Sequence, residues 1–224
     1  MSSILQLSNI TKTYFLRSEN VEVLKDVNLE VAKGHCVVIV GPSGCGKSTL
    51  LNVMGSLDRP TSGRVIVDNI DISSRNDAEL SALRNQKLGF VFQFHHLLAE
   101  FTCLENVALP GLLSGEQPKS SYERAEELLE KFGMADKLNR LPEQLSGGEK
   151  QRVAIARALV NDPLIILADE PAGNLDERNT NKLLEVFLSL KDEGKTVIIV
   201  THSLDIAKAG TDVYDLREGR LYVM

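Results

Sequence analysis

The sequence predicts an α/β fold in which helices cover a mostly parallel central sheet. Short, continuously apolar, β-rich runs recur along the chain, as strands covered on both faces do, and amphipathic helical stretches separate them. Two regions depart from this alternation. About 1–35 and 61–75 carry alternating strand-like pieces (VEVLKDVNLEV, GRVIVDNIDI), which predict a small antiparallel β part. About 93–160 reads as a mostly helical, inserted lobe.

The apolar runs place strands at Cys36–Val40, Leu88–Phe92, Leu164–Ala168 and Thr196–Val200. A helical run (TLLNVM) follows the first. Ser120–Phe132 opens with Ser-Ser-Tyr-Glu, a capping-box pattern, repeats apolar residues at Tyr122, Ala125, Leu128, Leu129 and Phe132, and stops at Gly133. Arg152–Val160 is helical and closes before Pro163. Asn181–Lys191 puts Leu183, Leu184, Phe187 and Leu190 on one face and ends near Gly194.

With 224 residues the chain can bury one large core, so 1–224 is taken as a single domain. A net charge of −6 argues against a general electrostatic nucleic-acid binder. No run of about 18 apolar residues is present, so no membrane span is expected. The start, MSSILQLSNITKTY, has no basic segment followed by a long apolar one, which speaks against a signal peptide. Cys36, Cys45 and Cys103 are odd in number and make no CxxC, as suits reduced thiols in the cytoplasm.

The first strand runs directly into Gly41-Pro42-Ser43-Gly44-Cys45-Gly46-Lys47-Ser48-Thr49, a full G-x-x-x-x-G-K-[ST] phosphate loop. Its glycines let consecutive N–H groups turn on an oxyanion, and the helix beginning near Lys47 adds its positive end. Lys47 is suited to the β/γ-phosphates of ATP and Ser48 to Mg²⁺. Cys45 sits at a free position and reads as a small neutral filler. Next, Leu164-Ile-Ile-Leu-Ala runs into Asp169-Glu170, two acids at the carboxyl edge of the sheet. Asp169 is suited to hold Mg²⁺ and Glu170 to polarise the attacking water, a catalytic role. LSGGEKQ (145–151) supplies a second glycine turn before a helix, hence a second anion site. The simplest use for it is a head-to-tail pair of subunits, each lending this turn to the other's nucleotide.

This order of motifs, spread over nearly the whole chain, resembles the ATP-binding cassette family of transporter ATPases. The resemblance implies the fold of that family, an active ATPase, and roles for further residues. Ser146, Gly147 and Gly148 would meet the γ-phosphate across a dimer. Gln93 would touch Mg²⁺ and the attacking water, and His202 would act at the γ-phosphate. Asn174-Leu175-Asp176 would cross to the partner subunit. Tyr14 would stack on adenine, with Phe15 as its competitor.

The stretch FQFHHLLAEFTCLENV raises its own question. Adjacent helical residues point about 100° apart, so His95 and His96 make a poor metal pair. Packing within the lobe and a docking surface both remain, and docking is preferred because the segment starts at Gln93. The stretch 83–110 resembles the lipoprotein-releasing group within the family, with MacB-like and FtsE-like cassettes close by. Ala99, Glu100 and Cys103 stand where that group typically has Pro, Asp and Ala, and Ala172 where Thr is usual. Implied partners are a second copy of the chain in ATP and integral membrane subunits of the LolC/LolE kind docking around 93–110. The implied place is the cytoplasmic face of the bacterial inner membrane. A small-molecule kinase would leave LSGGEKQ and His202 idle. A soluble cassette of DNA repair or translation would usually carry two cassettes or a long coiled coil.

Overall fold

The computed structural model describes residues 3–15 and 19–224. The expectation for 1–35 therefore falls outside the described residues at 1–2 and 16–18. In chain order the elements are β1 (Ser3–Phe15), β2 (Asn20–Ala32), β3 (Cys36–Val40), α1 (Lys47–Met54), β4 (Ser62–Val67) and β5 (Ile70–Asp71). Then come α2 (Asp77–Lys87), β6 (Leu88–Phe92), α3 (Cys103–Leu113), α4 (Pro118–Lys131), α5 (Gly147–Leu159) and β7 (Ile165–Asp169). The chain closes with α6 (Glu177–Asp192), β8 (Thr196–Thr201), α7 (Leu204–Ala207), β9 (Asp212–Arg217) and β10 (Arg220–Val223).

Two sheets result. A six-stranded sheet runs β10-β9-β3-β8-β7-β6, with every pair parallel except the β9–β10 hairpin at its edge. A four-stranded antiparallel sheet runs β2-β1-β4-β5. The apolar strands of the first sheet are covered on both faces, which explains their unbroken hydrophobic runs. On β3, Val37 and Ile39 join Leu5, Ile10, Leu24, Leu50 and Met54 between the two sheets and α1. Cys36, Val38 and Val40 face the other way, toward Ile155, Leu183 and Phe187. A separate cluster of Val107, Ala125, Leu129, Met134, Val153 and Val160 holds α3, α4 and α5 together.

The structure moves several expected boundaries. α4 begins at Pro118, not Ser120, because proline's fixed φ suits the first helical position. The Ser120 and Ser121 hydroxyls instead donate to Glu116, each at 3.0 Å, so the expected capping box does not form. α5 begins at Gly147, five residues ahead of Arg152, so the glycines are the helix's first turn. The strand expected at Leu164–Ala168 lies one residue later. No helix covers 93–102. That segment is tied down by Asn106, whose buried amide accepts from Leu98 N and donates to the carbonyls of Leu98, Phe101 and Thr102. The first helix beyond it, α3, is set by a Thr102/Glu105 capping box. Among the described residues no helix is long and apolar enough to cross a membrane.

Candidate active site

Strands β6, β7, β8 and β3 are parallel, so their carboxyl ends lie on one edge of the sheet. Gln93 follows β6, Glu170 follows β7, His202 follows β8 and the glycine loop follows β3. Register alone therefore gathers four sequence-distant motifs at the edge where ligands of such sheets bind.

Glycine is required at the loop's two ends. Gly46, the N-cap of α1, has φ 108°, and a Cβ there would meet Val23 Cγ1 at 2.9 Å. At Gly41 a Cβ would stand 2.5 Å from the Leu216 carbonyl oxygen. Pro42, Ser43 and Gly44 form the exposed rim between them. Cys45 is half-buried, and burial raises its thiol above the usual value despite the opposing charge of Lys47, which keeps it neutral. Lys47 is buried; its ammonium donates to the Gly41 and Pro42 carbonyls at 2.9 and 3.1 Å and lies 3.6 Å from Glu170 Oε1.

Ser48 Oγ donates to Asp169 Oδ1 at 3.1 Å. Burial raises the Asp169 carboxyl above its usual range and the charge of Glu170 adds to this, while Ser48 and Lys47 oppose. A hydroxyl beside a carboxylate held uncomfortably near a second acid is a fitting oxygen set for Mg²⁺, which would complete its shell with phosphate oxygens and water. Thr49 lies half-buried on the first turn of α1.

Glu170 stands in the left-handed region at φ 44°. Its Oε2 accepts from Thr201 Oγ1 at 3.0 Å and His202 N at 3.2 Å. His202 Nδ1 lies 3.0 Å from the same oxygen, a bond that needs the proton on Nδ1. Thr201, fully buried on β8, went unassigned in the sequence reading and is part of this cradle. Gln93 is joined to the segment after Glu170: its carbonyl accepts from Asn174 Nδ2 at 3.1 Å. Its amide Nε2 would stand 2.8 Å from a Cβ on Gly173.

The glycine turn 146–148 sits elsewhere, at the N-terminus of α5. Ser146 N and Oγ both donate to Glu149 Oε2, at 2.7 and 2.8 Å, and Lys137 pairs with the other oxygen. The Lys137 hydrogen bond, then those from Ser146, pull the Glu149 carboxyl down to about 2. Glu149 and Lys137 were also missed; only an E/Q three residues after Ser146 signalled the first. A Cβ on Gly147 would meet nothing within 4 Å, so this turn is open. Among the described residues no hydrogen bond joins it to the glycine loop at 41–49. Asp176 caps α6 through Asn179 N at 2.8 Å, and that bond lowers its carboxyl. Tyr14, on β1, is 37% exposed, and Phe15 is more exposed still.

His95 and His96 are not on a helix; both are left-handed, at φ 62° and 47°. The His96 ring tilts against Phe92 with centroids 4.9 Å apart. His95 is half-buried, and burial lowers its pKa, with the charges of Lys150, Arg157 and His96 adding. Cys103 is buried in the lobe, and among the described residues no cluster of three His, Cys, Asp or Glu could hold a metal ion. Beside His96 lies a groove of about 400 Å³ whose walls include Leu57, Arg84, Phe90, Phe92 and Pro110.

The chain is similar to known proteins over nearly its whole length. The family model described as ABC transporter matches residues 24–173. The ABC transporter ATP-binding protein YvrO of Bacillus subtilis is 50% identical over 218 residues, covering 97% of this chain and 95% of its own. The lipoprotein-releasing system ATP-binding protein LolD of Aquifex aeolicus is 47% identical over 221 residues, covering 99% and 97%. Among solved structures, the dimeric bacterial ABC transporter cassette MJ0796 superposes with a TM-score of 0.91 at 44% identity, covering 97% of this chain and 96% of that one. A second dimeric structure of MJ0796, in a post-hydrolysis state bound to ADP and Pi, also gives 0.91.

Proposed function

The chain belongs to the ABC transporter family as an ATP-binding, ATP-hydrolysing subunit, and from that premise we propose that it drives release of lipoproteins from the bacterial inner membrane. The observation that carries the ATPase part is the convergence of Lys47, Ser48, Asp169, Glu170 and His202 on one sheet edge. The segment 83–110 supports the pathway, since it resembles the LolD group, and LolD of Aquifex aeolicus is a near-full-length relative. YvrO is as similar, and Ala99 and Glu100 depart from the LolD pattern on the surface we read as docking. A MacB-like efflux or FtsE-like cell-division subunit is therefore the second reading.

In this account residues 1–224 act as one ATP-binding unit with the lobe at about 93–160. The loop 41–49 wraps the phosphates with backbone N–H groups, and Lys47 leaves its carbonyl partners for the β/γ-phosphates. Mg²⁺, when bound with ATP among Ser48, Asp169 and Gln93, supplies charge neutralisation. Glu170 polarises the attacking water, and His202 turns from it to the γ-phosphate. Tyr14 stacks on adenine. The open turn 146–148 and Asp176 serve the nucleotide of a second copy, a reading supported by the dimeric state of the MJ0796 cassette. The dimer sits on the cytoplasmic face, and integral membrane subunits of the LolC/LolE type seat in the groove beside His96.

The test is to tag the Glu170→Gln chain, purify it from detergent-solubilised native membranes and identify what accompanies it. Two related membrane subunits of the lipoprotein-releasing type support the proposal. A MacB-like or FtsX-like protein moves the function to efflux or division.

A further inference from the structure

We propose that Lys12 and Asp58 are positioning residues of the nucleotide site, which hold the Tyr14 ring in place before adenine arrives. The proposal rests on the reading of Tyr14 as the residue that stacks on the base. Lys12 and Tyr14 are two apart on β1 and so share a face. The Tyr14 hydroxyl donates to Asp58 Oδ2 at 2.9 Å. Asp58 Oδ1 accepts from Lys12 Nζ at 2.6 Å and from Arg59 N at 2.7 Å, so both carboxylate oxygens are engaged. Lys12 Nζ also donates to the Arg59 carbonyl at 2.7 Å and lies 4.8 Å from the centre of the Tyr14 ring.

The triangle is anchored at both ends. Asp58 N and Leu57 N donate to the Asn52 carbonyl, on the helix that the glycine loop opens. Thr61 N donates to the Thr11 carbonyl and Thr13 N to Thr61 Oγ1, which fastens the following turn to β1. The adenine platform and the phosphate loop thus belong to one braced frame.

Tyr14 stays 37% exposed while Lys12 beneath it is only 9% exposed, so the ring is held without being covered. An exposed ring on a strand ordinarily samples several rotamers, and binding must freeze it. A hydroxyl bonded to a fixed carboxylate removes that cost in advance without covering the ring. The cation near the ring holds its tilt as well.

The experiment measures KM and kcat for ATP, and inhibition by inorganic tripolyphosphate, which has no base, in the full chain. Tyr14→Ala is expected to raise KM for ATP about tenfold through lost stacking, with tripolyphosphate inhibition unchanged. Tyr14→Phe and Asp58→Asn are each expected to raise KM about threefold to tenfold, the size of one freed side chain, with kcat and tripolyphosphate inhibition kept. Combining the two should add nothing further. If both single variants keep the wild-type KM while Tyr14→Ala raises it, stacking stands and the positioning role is overturned. If Asp58→Asn moves kcat and tripolyphosphate inhibition along with KM, its role is structural and the proposal fails. If Tyr14→Ala leaves KM unchanged, the stacking reading falls and takes this one with it. Should Asp58→Asn not fold, Tyr14→Phe decides alone.

Discussion

The Arg157 guanidinium donates to the backbone carbonyls of both His96 and His95, at 2.6 Å each. Arg157 lies on α5, the helix that begins with the open glycine turn, and the histidines follow Gln93. One fork thus joins the turn's helix to the loop that begins beside the catalytic edge. Lysine carries the charge but has a single donor nitrogen in place of the planar fork whose two nitrogens each reach one of these carbonyls. Arg157→Lys should therefore cost about 1–3 kcal/mol, since bonds to a charged donor are lost from a partly buried site. Urea unfolding checks this: the midpoint should fall with an unchanged slope.

The double change His95→Ala/His96→Ala should weaken attachment to the membrane partners while the isolated subunit keeps hydrolysing ATP. His96 lines the groove with His95 next to it in the chain, and the Arg157 bonds go to their backbone carbonyls, which alanine retains. Co-purification and phosphate release read the two effects separately. Collapse of phosphate release would instead assign the pair to the nucleotide site or the core.

Glu149 makes the open turn acid-sensitive. Its folded carboxyl titrates at about 2, against 4.5 for a free glutamate. The depressed value means the Lys137 and Ser146 bonds stabilise the fold fully above about pH 4.5. That contribution drains away as pH falls from there toward 2. Glu149→Gln should be less stable than wild type at neutral pH, and the gap should narrow across that window in a pH series of thermal melts.

The central sheet was legible because its strands are covered on both faces and so read as unbroken apolar runs. β3 and β6 match expectation to the residue, and β8 extends one residue further. The motif order also told where chemistry gathers, since parallel strands put every loop after them on one edge. Helix starts were harder. The Ser-Ser-Tyr-Glu pattern mimics a capping box, but Pro118 upstream had already begun the turn. The segment 93–102 lies in the lobe expected to be mostly helical, yet Asn106 binds three of its carbonyls and holds it irregular. The Lys12–Asp58 link escaped because its partners lie 46 residues apart and neither belongs to a motif.

In the proposed mechanism two copies close around ATP, each lending residues 146–148 to the other's nucleotide. Gel filtration of the Glu170→Gln chain with and without saturating Mg-ATP tests it most directly, because closure needs binding but not the base. The expected result is a dimer in Mg-ATP, a monomer without it, and hydrolysis reduced about 100-fold or more. A chain that binds Mg-ATP and still elutes as a monomer would contradict the sandwich.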